Sequence, residues 1–428
     1  MEKFVVNGPC RLSGKVNISG AKNAALGIIP ATLLVNGKCH LENVPDISDI
    51  RAYIKILESL GSKIEFISKN EIIIDNTNIQ NAIASYELTS KFRASYYLLG
   101  ALLGRFNEVQ ISLPGGCNLG ARPIDQHIKA FEKLGAKVEV KRGNVYASKT
   151  STLKGSSIFF DVVSVGATMN AILAATLADG VTTLENVAKE PHIVDLANFL
   201  NSMGAKIKGA GTDSIKITGV KSLKQVSSYS IIPDQIEAGT FMVAAAATKG
   251  DVTVCNCIPK HMEPITAKLR EAGAIIEETE TSIRVKMDKR PTSFSIKTMP
   301  YPGFPTDMQP QMSILLTICD GTGIIVETIW ESRFQYTDEL AKMGADISAH
   351  GSSAIFKGVE KLYGAPVKSH DLRAGAAMII AGLVAEGKTE VYDIFHILRG
   401  YENIVEKFNL LGADITYVDD KEGNTFGI

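Results

Sequence analysis

The chain has few of the features that mark membrane-spanning, disulfide-rich or nucleic-acid-binding proteins. Its 428 residues include only six cysteines and one tryptophan. The longest clearly apolar stretch, 376–385, is well short of the roughly 20 residues that cross a bilayer, and we predict a buried helix there. A net charge of -1 gives no overall field that would draw the chain to nucleic acid or to an anionic membrane. Any anionic ligand must therefore be held by local basic residues.

The first twenty residues and the cysteines indicate a reducing compartment. The segment MEKFVVNGPCRLSGKVNISG lacks the basic stretch and apolar run of a signal peptide, so we expect a cytoplasmic protein. Scattered cysteines in so long a chain indicate free thiols rather than a disulfide framework. Cys255 and Cys257 have strand spacing with His261 nearby, but no second pair accompanies them, so zinc is the less favoured alternative. We expect no metal and no organic cofactor.

An internal repeat organises the whole chain. Related segments such as LGAKV, MGAKI and LGADI recur six times, 68 to 74 residues apart, with their glycines at Gly61, Gly135, Gly204, Gly273, Gly344 and Gly412. An amphipathic helix precedes each glycine, which we predict to be its C-terminal cap. A helix that is apolar nearly all round comes before each amphipathic helix, with a β-branched strand between them.

Three such repeats make a reasonable single domain, so six repeats predict two pseudo-threefold domains. We predict a first domain at 20–231 and a second domain built from 1–19 with 232–428. Polar residues cluster where the apolar helices begin: Lys22, Asn23, Arg93, Ser164, Asp234, Glu237, Asp307, Gln309, Asp371 and Arg373. Helix N-termini suit phosphate and carboxylate groups, so a cleft lined by them is expected to bind an anion. Asp234 and Asp371 are equally well explained as N-caps.

The segment LPGGCNLGARPIDQHI is the sharpest local signal. It places Cys117 in a glycine-rich loop close to Arg122, before a helix predicted to begin near Pro123. A cation and a helix N-terminus both favour the thiolate, whereas a bound anion favours the thiol. Cys117 is therefore a candidate reactive group whose protonation depends on ligand occupancy.

Seven motifs, in order along almost the whole chain, carry a family resemblance: GAKNAAL, PGGCNLGARPIDQHI, SVGAT, PGFPTDMQPQ, ESRF, DLRA and LRGYE. Together they resemble the UDP-N-acetylglucosamine 1-carboxyvinyltransferase family of enolpyruvyl transferases. The resemblance implies an inverted α/β fold with six βαβαββ repeats in two domains and an active site between them. The implied reaction joins phosphoenolpyruvate to the 3-hydroxyl of UDP-N-acetylglucosamine, the first committed step of peptidoglycan precursor synthesis.

The resemblance also assigns roles to individual residues. Cys117 is implied as the proton donor and Asp307 as the base near the sugar hydroxyl. The implied phosphoenolpyruvate-binding residues are Lys22, Asn23, Arg122, Arg373 and Arg399. The implied UDP-sugar contacts are Arg93, Arg122, Pro123, Ile124, Asp125, Gln126, Val162, Val163, Ser164, Val165, Asp307 and Ile329. The family's sensitivity to fosfomycin implies alkylation of Cys117.

Some features leave alternatives open. Some family members have Lys where this chain has Val162, which removes one cationic contact to the nucleotide. His127 and His396 either contact a phosphate or only pack. An enolpyruvyl transferase that uses a shikimate phosphate as acceptor is the chemical alternative, and an inactive repeat scaffold that binds a nucleotide sugar is the non-enzymatic one. Small-molecule substrates, and neither nucleic acid nor membrane, are the expected partners.

Overall fold

The computed structural model describes residues 2–79, 82–84, 86–89, 93–112 and 124–419. These residues divide into two compact units, each with a hydrophobic core of its own. The first unit consists of the described residues from 20 to 232, and the second unit consists of 2–19 with 233–419.

Each unit alternates helices with short strands. The α-helices of the described chain are α1 Lys22–Ala31, α2 Ser48–Leu60, α3 Tyr86–Thr89, α4 Tyr97–Arg105, α5 Asp125–Lys133, α6 Val165–Ala175, α7 Pro191–Ser202, α8 Gln235–Ala247, α9 Glu263–Glu271, α10 Gln309–Thr317, α11 Thr337–Lys342, α12 Leu372–Val384 and α13 Ile404–Leu410. Short 3₁₀ helices lie at Thr32–Leu34, Arg93–Tyr96, Pro259–Met262, Thr306–Met308 and Ile394–Arg399. Among the described residues, no helix combines the length and apolarity needed to cross a membrane.

The strands are mostly five residues long. They are β1 Glu2–Gly8, β2 Ser13–Asn17, β3 Lys38–Glu42, β4 Lys63–Ser68, β5 Glu71–Asp75, β6 Glu108–Ser112, β7 Lys137–Lys141, β8 Asn144–Ser148, β9 Ser157–Phe159, β10 Val181–Glu185, β11 Lys206–Lys208, β12 Ser214–Thr218, β13 Val226–Ser230, β14 Asp251–Cys255, β15 Ile275–Glu278, β16 Ser282–Lys286, β17 Ser295–Lys297, β18 Thr322–Val326, β19 Asp346–His350, β20 Ser353–Lys357, β21 Pro366–Lys368, β22 Gly387–Tyr392 and β23 Asp414–Asp419.

The strands form one small sheet per repeat. In the third repeat, β9 pairs parallel with β10, and β12 pairs antiparallel with both β10 and β11. With α6 and α7 between the strands, the chain order is strand, helix, strand, helix, strand, strand. The same chain order recurs with α10 and α11 in the sheet β17-β18-β20-β19, and the sheet β15-β16-β14-β2 has the same pairing pattern. The βαβαββ repeat expected from the resemblance is therefore confirmed.

Each unit completes its sheets with strands that are distant in sequence. In the second unit, β1 pairs antiparallel with β22 and β23, and β2 pairs parallel with β14. In the first unit, β13 pairs parallel with β3. Because the N-terminal strands belong to the second unit, the described part of the chain passes between the units at 19–20 and again at 232–233.

The helices predicted to be apolar all round are the buried ones. They are α1, α4 and α6 in the first unit and α8, α10 and α12 in the second, and most residues of each are buried. The run 376–385 falls mostly within α12, so the predicted buried helix is confirmed. Small residues let these helices approach closely: a Cβ on Gly100 of α4 would lie 2.4 Å from the carbonyl oxygen of Asn170 on α6.

The six repeat glycines end the amphipathic helices as predicted. Their φ angles lie between 94° and 105°, the left-handed region in which other residues are strained, at Gly61, Gly135, Gly204, Gly273, Gly344 and Gly412. Glycine is therefore favoured at each position, where the chain leaves the helix and turns into the following strand.

Candidate active site

Asp307 lies between two arginines in the second unit. Arg333 donates from Nη1 to Asp307 Oδ1 at 3.1 Å, and Arg373 donates from Nε to Asp307 Oδ2 at 3.1 Å. Both guanidinium groups are almost wholly buried, while 31% of the Asp307 side chain is exposed. A carboxylate held on both oxygens by guanidinium groups has a fixed orientation and an accessible edge.

The two guanidinium groups set the charge of Asp307. Burial on its own would raise the pKa of this carboxyl, but Arg373 and Arg333 outweigh it and hold the pKa well below its ordinary range. Asp307 is therefore ionised at neutral pH, as a proton acceptor must be before the reaction.

The same arginines keep unused donors. Nε of Arg333 and Nη1 of Arg373 are buried and have no hydrogen-bond partner within the described chain. Tyr401 supports Arg373, whose guanidinium carbon lies 5.3 Å from the Tyr401 ring centroid. A buried, charged donor without a partner is costly, so an anionic ligand beside Asp307 would be stabilised here.

Ile329 is tied to the neighbourhood of Asp307 by a buried carboxylate. Glu327 Oε1 accepts the backbone N–H of Ile329 at 2.8 Å, and Oε2 accepts the hydroxyl of Thr306 at 2.9 Å. Thr306 directly precedes Asp307, so two residues that the resemblance assigns to the sugar are brought together through Glu327.

In the first unit, Lys22 has an acidic partner that the sequence reasoning missed. Lys22 Nζ lies 2.6 Å from Asp49 Oδ2, and both side chains are 8% exposed. Lys22 is the first residue of α1, where the helix dipole disfavours a cation. Asp49, in the first turn of α2, offsets that cost. Asn23 follows Lys22 and is half-buried.

The start of α5 contacts the segment before α6. The Gln126 side chain donates to Asp161 Oδ2 at 3.0 Å and accepts the backbone N–H of Asp161 at 3.0 Å. Lys129 adds a 2.8 Å ion pair to the same carboxylate. The structure thus brings together the two segments that the resemblance assigns to the UDP-sugar, 124–126 and 162–165.

The residues that follow Asp161 are open to solvent at the start of α6. Val162 and Val163 are 59% and 40% exposed. Ser164 caps α6 by accepting the backbone N–H of Ala167, and Val165 is the first residue of the helix. Exposed apolar side chains beside a helix N-terminus suit a ligand with a flat ring and a phosphate.

His127 packs in the interior of the first unit. Asn170 accepts the Gly100 N–H through Oδ1, which fixes its amide so that Nδ2 donates to His127 Nδ1 at 2.8 Å. Burial lowers the pKa of His127 to about 4, so the ring is neutral at physiological pH. Packing, one of the two alternatives for His127, is what the described contacts support.

Other predicted residues have mainly structural contacts. Asp234 accepts the backbone N–H groups of Ile236 and Glu237, and Asp371 accepts those of Arg373 and Ala374. These two carboxylates are therefore N-caps. Arg399 is half-buried at the end of the 3₁₀ helix Ile394–Arg399, and the His396 ring stacks on Phe395 at 4.0 Å between centroids.

Part of the predicted site lies outside the described residues. This is so for Cys117, Arg122, Pro123 and the side chain of Arg93, and for the predicted helix start near Pro123; α5 is described from Asp125. The other five cysteines are free thiols, as predicted.

One group of side chains within the described ranges could hold a metal. Ligand atoms of His40, Glu42 and Glu71, on β3 and β5, lie within 4.8 Å of one another. His40 Nε2 contacts Glu71 Oε1 directly at 2.7 Å, which a histidine–carboxylate ion pair explains without a metal. Their sequence spacing resembles no ligand motif, because the sheet brings them together.

Comparison with known proteins gives matches over nearly the whole chain. Residues 6–408 match the family described as EPSP synthase (3-phosphoshikimate 1-carboxyvinyltransferase). A UDP-N-acetylglucosamine 1-carboxyvinyltransferase of Clostridium botulinum is 59% identical over 97% of this chain and 99% of its own. A second protein of that description, numbered 2, from Carboxydothermus hydrogenoformans is 53% identical over 98% of this chain and all of its own.

Solved structures have the same fold. The enolpyruvyl transferase NikO of Streptomyces tendae superposes with a TM-score of 0.88 at 24% identity, covering 97% of this chain and 99% of its own. EPSP synthase of Acinetobacter baumannii gives 0.78 at 20% identity, covering 98% and 100%. The fold expected from the sequence, an inverted α/β architecture of enolpyruvyl transferase type, is therefore confirmed. The chain belongs to the enolpyruvyl transferase family and, within it, to the UDP-N-acetylglucosamine 1-carboxyvinyltransferases.

Proposed function

We propose that this chain transfers the enolpyruvyl group of phosphoenolpyruvate to the 3-hydroxyl of UDP-N-acetylglucosamine and releases phosphate, in the cytoplasmic synthesis of peptidoglycan precursors. The observation that carries the proposal is the 59% identity, over nearly the whole of both chains, to a relative described as UDP-N-acetylglucosamine 1-carboxyvinyltransferase. The ionised carboxylate of Asp307, held in place by two arginines, also supports the proposal because the reaction needs a proton acceptor.

Asp307 is proposed as the base. The sugar hydroxyl adds to C2 of phosphoenolpyruvate, and its proton passes to the exposed edge of the Asp307 carboxylate. Two neighbouring guanidinium groups make Asp307 a weak base in the unliganded protein. Phosphoenolpyruvate carries several negative charges, so its binding beside Arg373 offsets that arginine and raises the pKa of Asp307. Asp307 is thus a stronger base when phosphoenolpyruvate is bound.

Cys117 is proposed as the acid. Its thiol proton goes to C3 as the C2–O bond forms, which gives a tetrahedral intermediate with a methyl group. The Cys117 thiolate then takes back a proton from that methyl group as phosphate leaves from C2, which restores the carbon–carbon double bond in the product and the thiol in the protein. Cations stabilise the charge of phosphoenolpyruvate and of the departing phosphate. The cations proposed for this role are Lys22, Arg122, Arg373 and Arg399, with Asn23 beside them.

The UDP-sugar contacts are proposed on both units. The first unit contributes Arg93, Arg122, Pro123, Ile124, Asp125, Gln126, Val162, Val163, Ser164 and Val165, and the second contributes Asp307 and Ile329. The link through Gln126 and Asp161 supports the grouping in the first unit. The exposed Val162 offers a nucleotide an apolar contact instead of a charge.

The test is phosphate release by the purified full-length chain. Phosphate should appear with phosphoenolpyruvate and UDP-N-acetylglucosamine together, and neither substrate should suffice by itself. Turnover with shikimate 3-phosphate as acceptor, and none with the UDP-sugar, would overturn the assigned acceptor. Binding of the UDP-sugar without any turnover would favour a scaffold.

The acid is tested with variants of Cys117 and an anionic epoxide. Fosfomycin should alkylate Cys117 before Cys10, Cys39 or Cys319, as read by peptide mapping. Cys117→Ala should lose both alkylation and turnover. Cys117→Asp should lose alkylation and keep part of the turnover, because a carboxyl whose pKa a nearby anion raises can also deliver a proton. First modification of another cysteine would contradict the assignment.

A further inference from the structure

Glu327 is a buried carboxylate that accepts hydrogen bonds from four donors. Only 2% of the residue is exposed. Oε1 accepts the Thr298 hydroxyl at 2.9 Å and the backbone N–H groups of Ile329 and Trp330 at 2.8 and 3.2 Å. Oε2 accepts the Thr306 hydroxyl at 2.9 Å. A buried carboxylate with four donors is held in one place, so whatever contacts it is oriented by it.

The two oxygens of Glu327 serve different segments. Oε1 holds the backbone turn after β18, which carries Ile329. Oε2 holds Thr306, the residue before Asp307. One side chain therefore fixes the spacing between a proposed sugar contact and the proposed base.

Thr306 passes this orientation to the base. A hydroxyl has one hydrogen, and a carboxylate oxygen can only accept, so the Thr306 hydrogen points at Glu327. A lone pair of the same oxygen then accepts from Nη1 of Arg333 at 3.1 Å. Nη1 also donates to Asp307 Oδ1. The hydroxyl thus holds the nitrogen of Arg333 that contacts the base.

We infer that Glu327 is a positioning residue for the enolpyruvyl transfer: through Thr306 it holds Arg333 against Asp307, and through the Ile329 backbone it sets the proposed sugar contact. The inference rests on the proposed function of Asp307.

Charge gives a second reason for a carboxylate at this position. Glu327, Arg333, Asp307 and Arg373 alternate in sign along the chain of contacts and sum to zero. Without the charge of Glu327, the other three groups carry one net positive charge; Asp234, which also interacts with Arg373, is outside this chain of contacts. A net positive surrounding weakens Asp307 as a base, so proton transfer slows.

The test compares Glu327→Gln with two variants of Thr306. In Glu327→Gln, the remaining carbonyl oxygen can still accept from Thr298, Ile329 and Trp330, while the new amide faces Thr306 and donates to it. The turn is kept, and the orientation of the Thr306 hydroxyl and the charge are lost. We expect kcat to fall about tenfold, with the KM for UDP-N-acetylglucosamine within about twofold of wild type.

Thr306 supplies the matched pair. Thr306→Val removes the hydroxyl at constant shape and should lower kcat to a similar extent. Thr306→Ser restores the hydroxyl and should recover kcat to within about twofold of wild type. Because Thr306 is half-buried, this pair remains informative if Glu327→Gln folds poorly.

The outcomes separate the inference from the proposed function. No phosphate release by the wild-type protein overturns the proposed function. Wild-type turnover with unchanged kcat in both Glu327→Gln and Thr306→Val overturns the role of Glu327. A fall in kcat that Thr306→Ser does not recover, with an equal fall in Tm in all three variants, would make the network a purely structural one and also overturn the inference.

Discussion

The two units share one repeat but begin their buried helices differently. In the second unit, α8 and α12 start behind the capping carboxylates Asp234 and Asp371. In the first unit, α1 starts at Lys22 without a capping side chain, and α6 starts behind Ser164. Carboxylates stabilise the positive end of a helix, whereas a cation there needs an offset such as Asp49.

Asp307 departs from this pattern within its own unit. It precedes the third buried helix of the second unit, α10, as Asp234 and Asp371 precede theirs. Its oxygens accept from Arg333 and Arg373 instead of from backbone N–H groups. Equivalent positions in a repeat therefore do not have equivalent roles. The atoms that a carboxylate contacts decide whether it caps a helix or is free to take part in chemistry.

Among Asp234, Asp307 and Asp371, we expect the largest loss of turnover at Asp307, because its carboxylate does not cap a helix. Asp307→Asn keeps the shape of the side chain but cannot accept a proton, so turnover should fall by about 10²-fold or more, with UDP-sugar binding weakened far less. Phosphate release and calorimetric binding measure the two quantities.

Asp234→Asn is the control in the same unit. Asparagine caps a helix about as well as aspartate, so turnover should stay within about threefold of wild type. If Asp307→Asn retained normal turnover and raised only the KM, Asp307 would be a binding residue. An equal loss in both variants would remove the distinction between cap and base.

The next largest effect concerns the packing of the buried helices. We expect the first unit to tolerate replacement of a helix glycine by alanine less well than the second unit. A Cβ on Gly100 would meet the Asn170 backbone oxygen at 2.4 Å, which cannot move without shifting α6. A Cβ on Gly239 of α8 would meet the ends of Met308 and Ile265 at 2.8 and 2.9 Å, and both can rotate away. We expect Gly100→Ala to cost about 3 kcal/mol and Gly239→Ala about 1 kcal/mol.

Hydrogen exchange resolved by peptide would measure both costs, because it reports α4 and α8 separately. The comparison fails if Gly239→Ala proves the more costly. That result would mean that Met308 and Ile265 are as rigid as a helix backbone.

The pattern of small and apolar residues was enough to predict the buried helices and the glycines that end the amphipathic helices, whereas the inverted α/β fold was expected from the family resemblance. The repeat glycines and the buried helices depend on local conformation and periodicity, which are readable along the chain. Capping by Asp234 and Asp371 was one of two alternatives considered for these residues. It could be predicted because a capping side chain accepts backbone N–H groups only two or three residues ahead.

The partners of the site residues could not be predicted in this way. Asp307 contacts Arg373, 66 residues away, and Thr306 contacts Glu327, 21 residues away. The pairing of Lys22 with Asp49 joins two helices. Such contacts depend on how helices and loops pack in three dimensions. Arg333 belongs to the motif ESRF, so the sequence marked it as a residue of interest. The sequence did not show that Arg333 donates to Asp307.

Two buried groups of the first unit should give opposite pH dependences of stability. Burial raises the pKa of Asp195 from 3.8 to about 6, so the folded state binds the proton more tightly and stability falls as pH rises from about 4 to 6. Burial lowers the pKa of His127 from 6.5 to about 4, so stability falls as pH drops over nearly the same range. Each amounts to about 3 kcal/mol, so they nearly cancel.

Two variants separate these contributions. Relative to wild type, Asp195→Asn should lose stability as pH falls from 6 to 4, and His127→Gln should gain stability over that interval. Urea unfolding followed by circular dichroism at several pH values measures the difference from wild type. Parallel pH profiles for both variants would contradict burial as the cause of either shift.

The smallest effect concerns the caps themselves and compares α12 of the second unit with α6 of the first. Asp371 accepts two backbone N–H groups at 2.7 and 3.0 Å and carries a charge that favours the helix N-terminus. Ser164 accepts one N–H at 3.3 Å and carries no charge. We therefore expect Asp371→Ala to destabilise the start of α12 by about 1–2 kcal/mol, and Ser164→Ala to destabilise the start of α6 by about 0.5 kcal/mol. Hydrogen exchange of the first-turn amides measures each locally, with Asp371→Asn and Ser164→Thr as capping controls. A larger loss of local stability in Ser164→Ala than in Asp371→Ala would contradict this expectation. The helices of the first unit would then depend on their caps at least as much as those of the second and, in how their buried helices begin, the two units would differ only at Asp307 and Lys22.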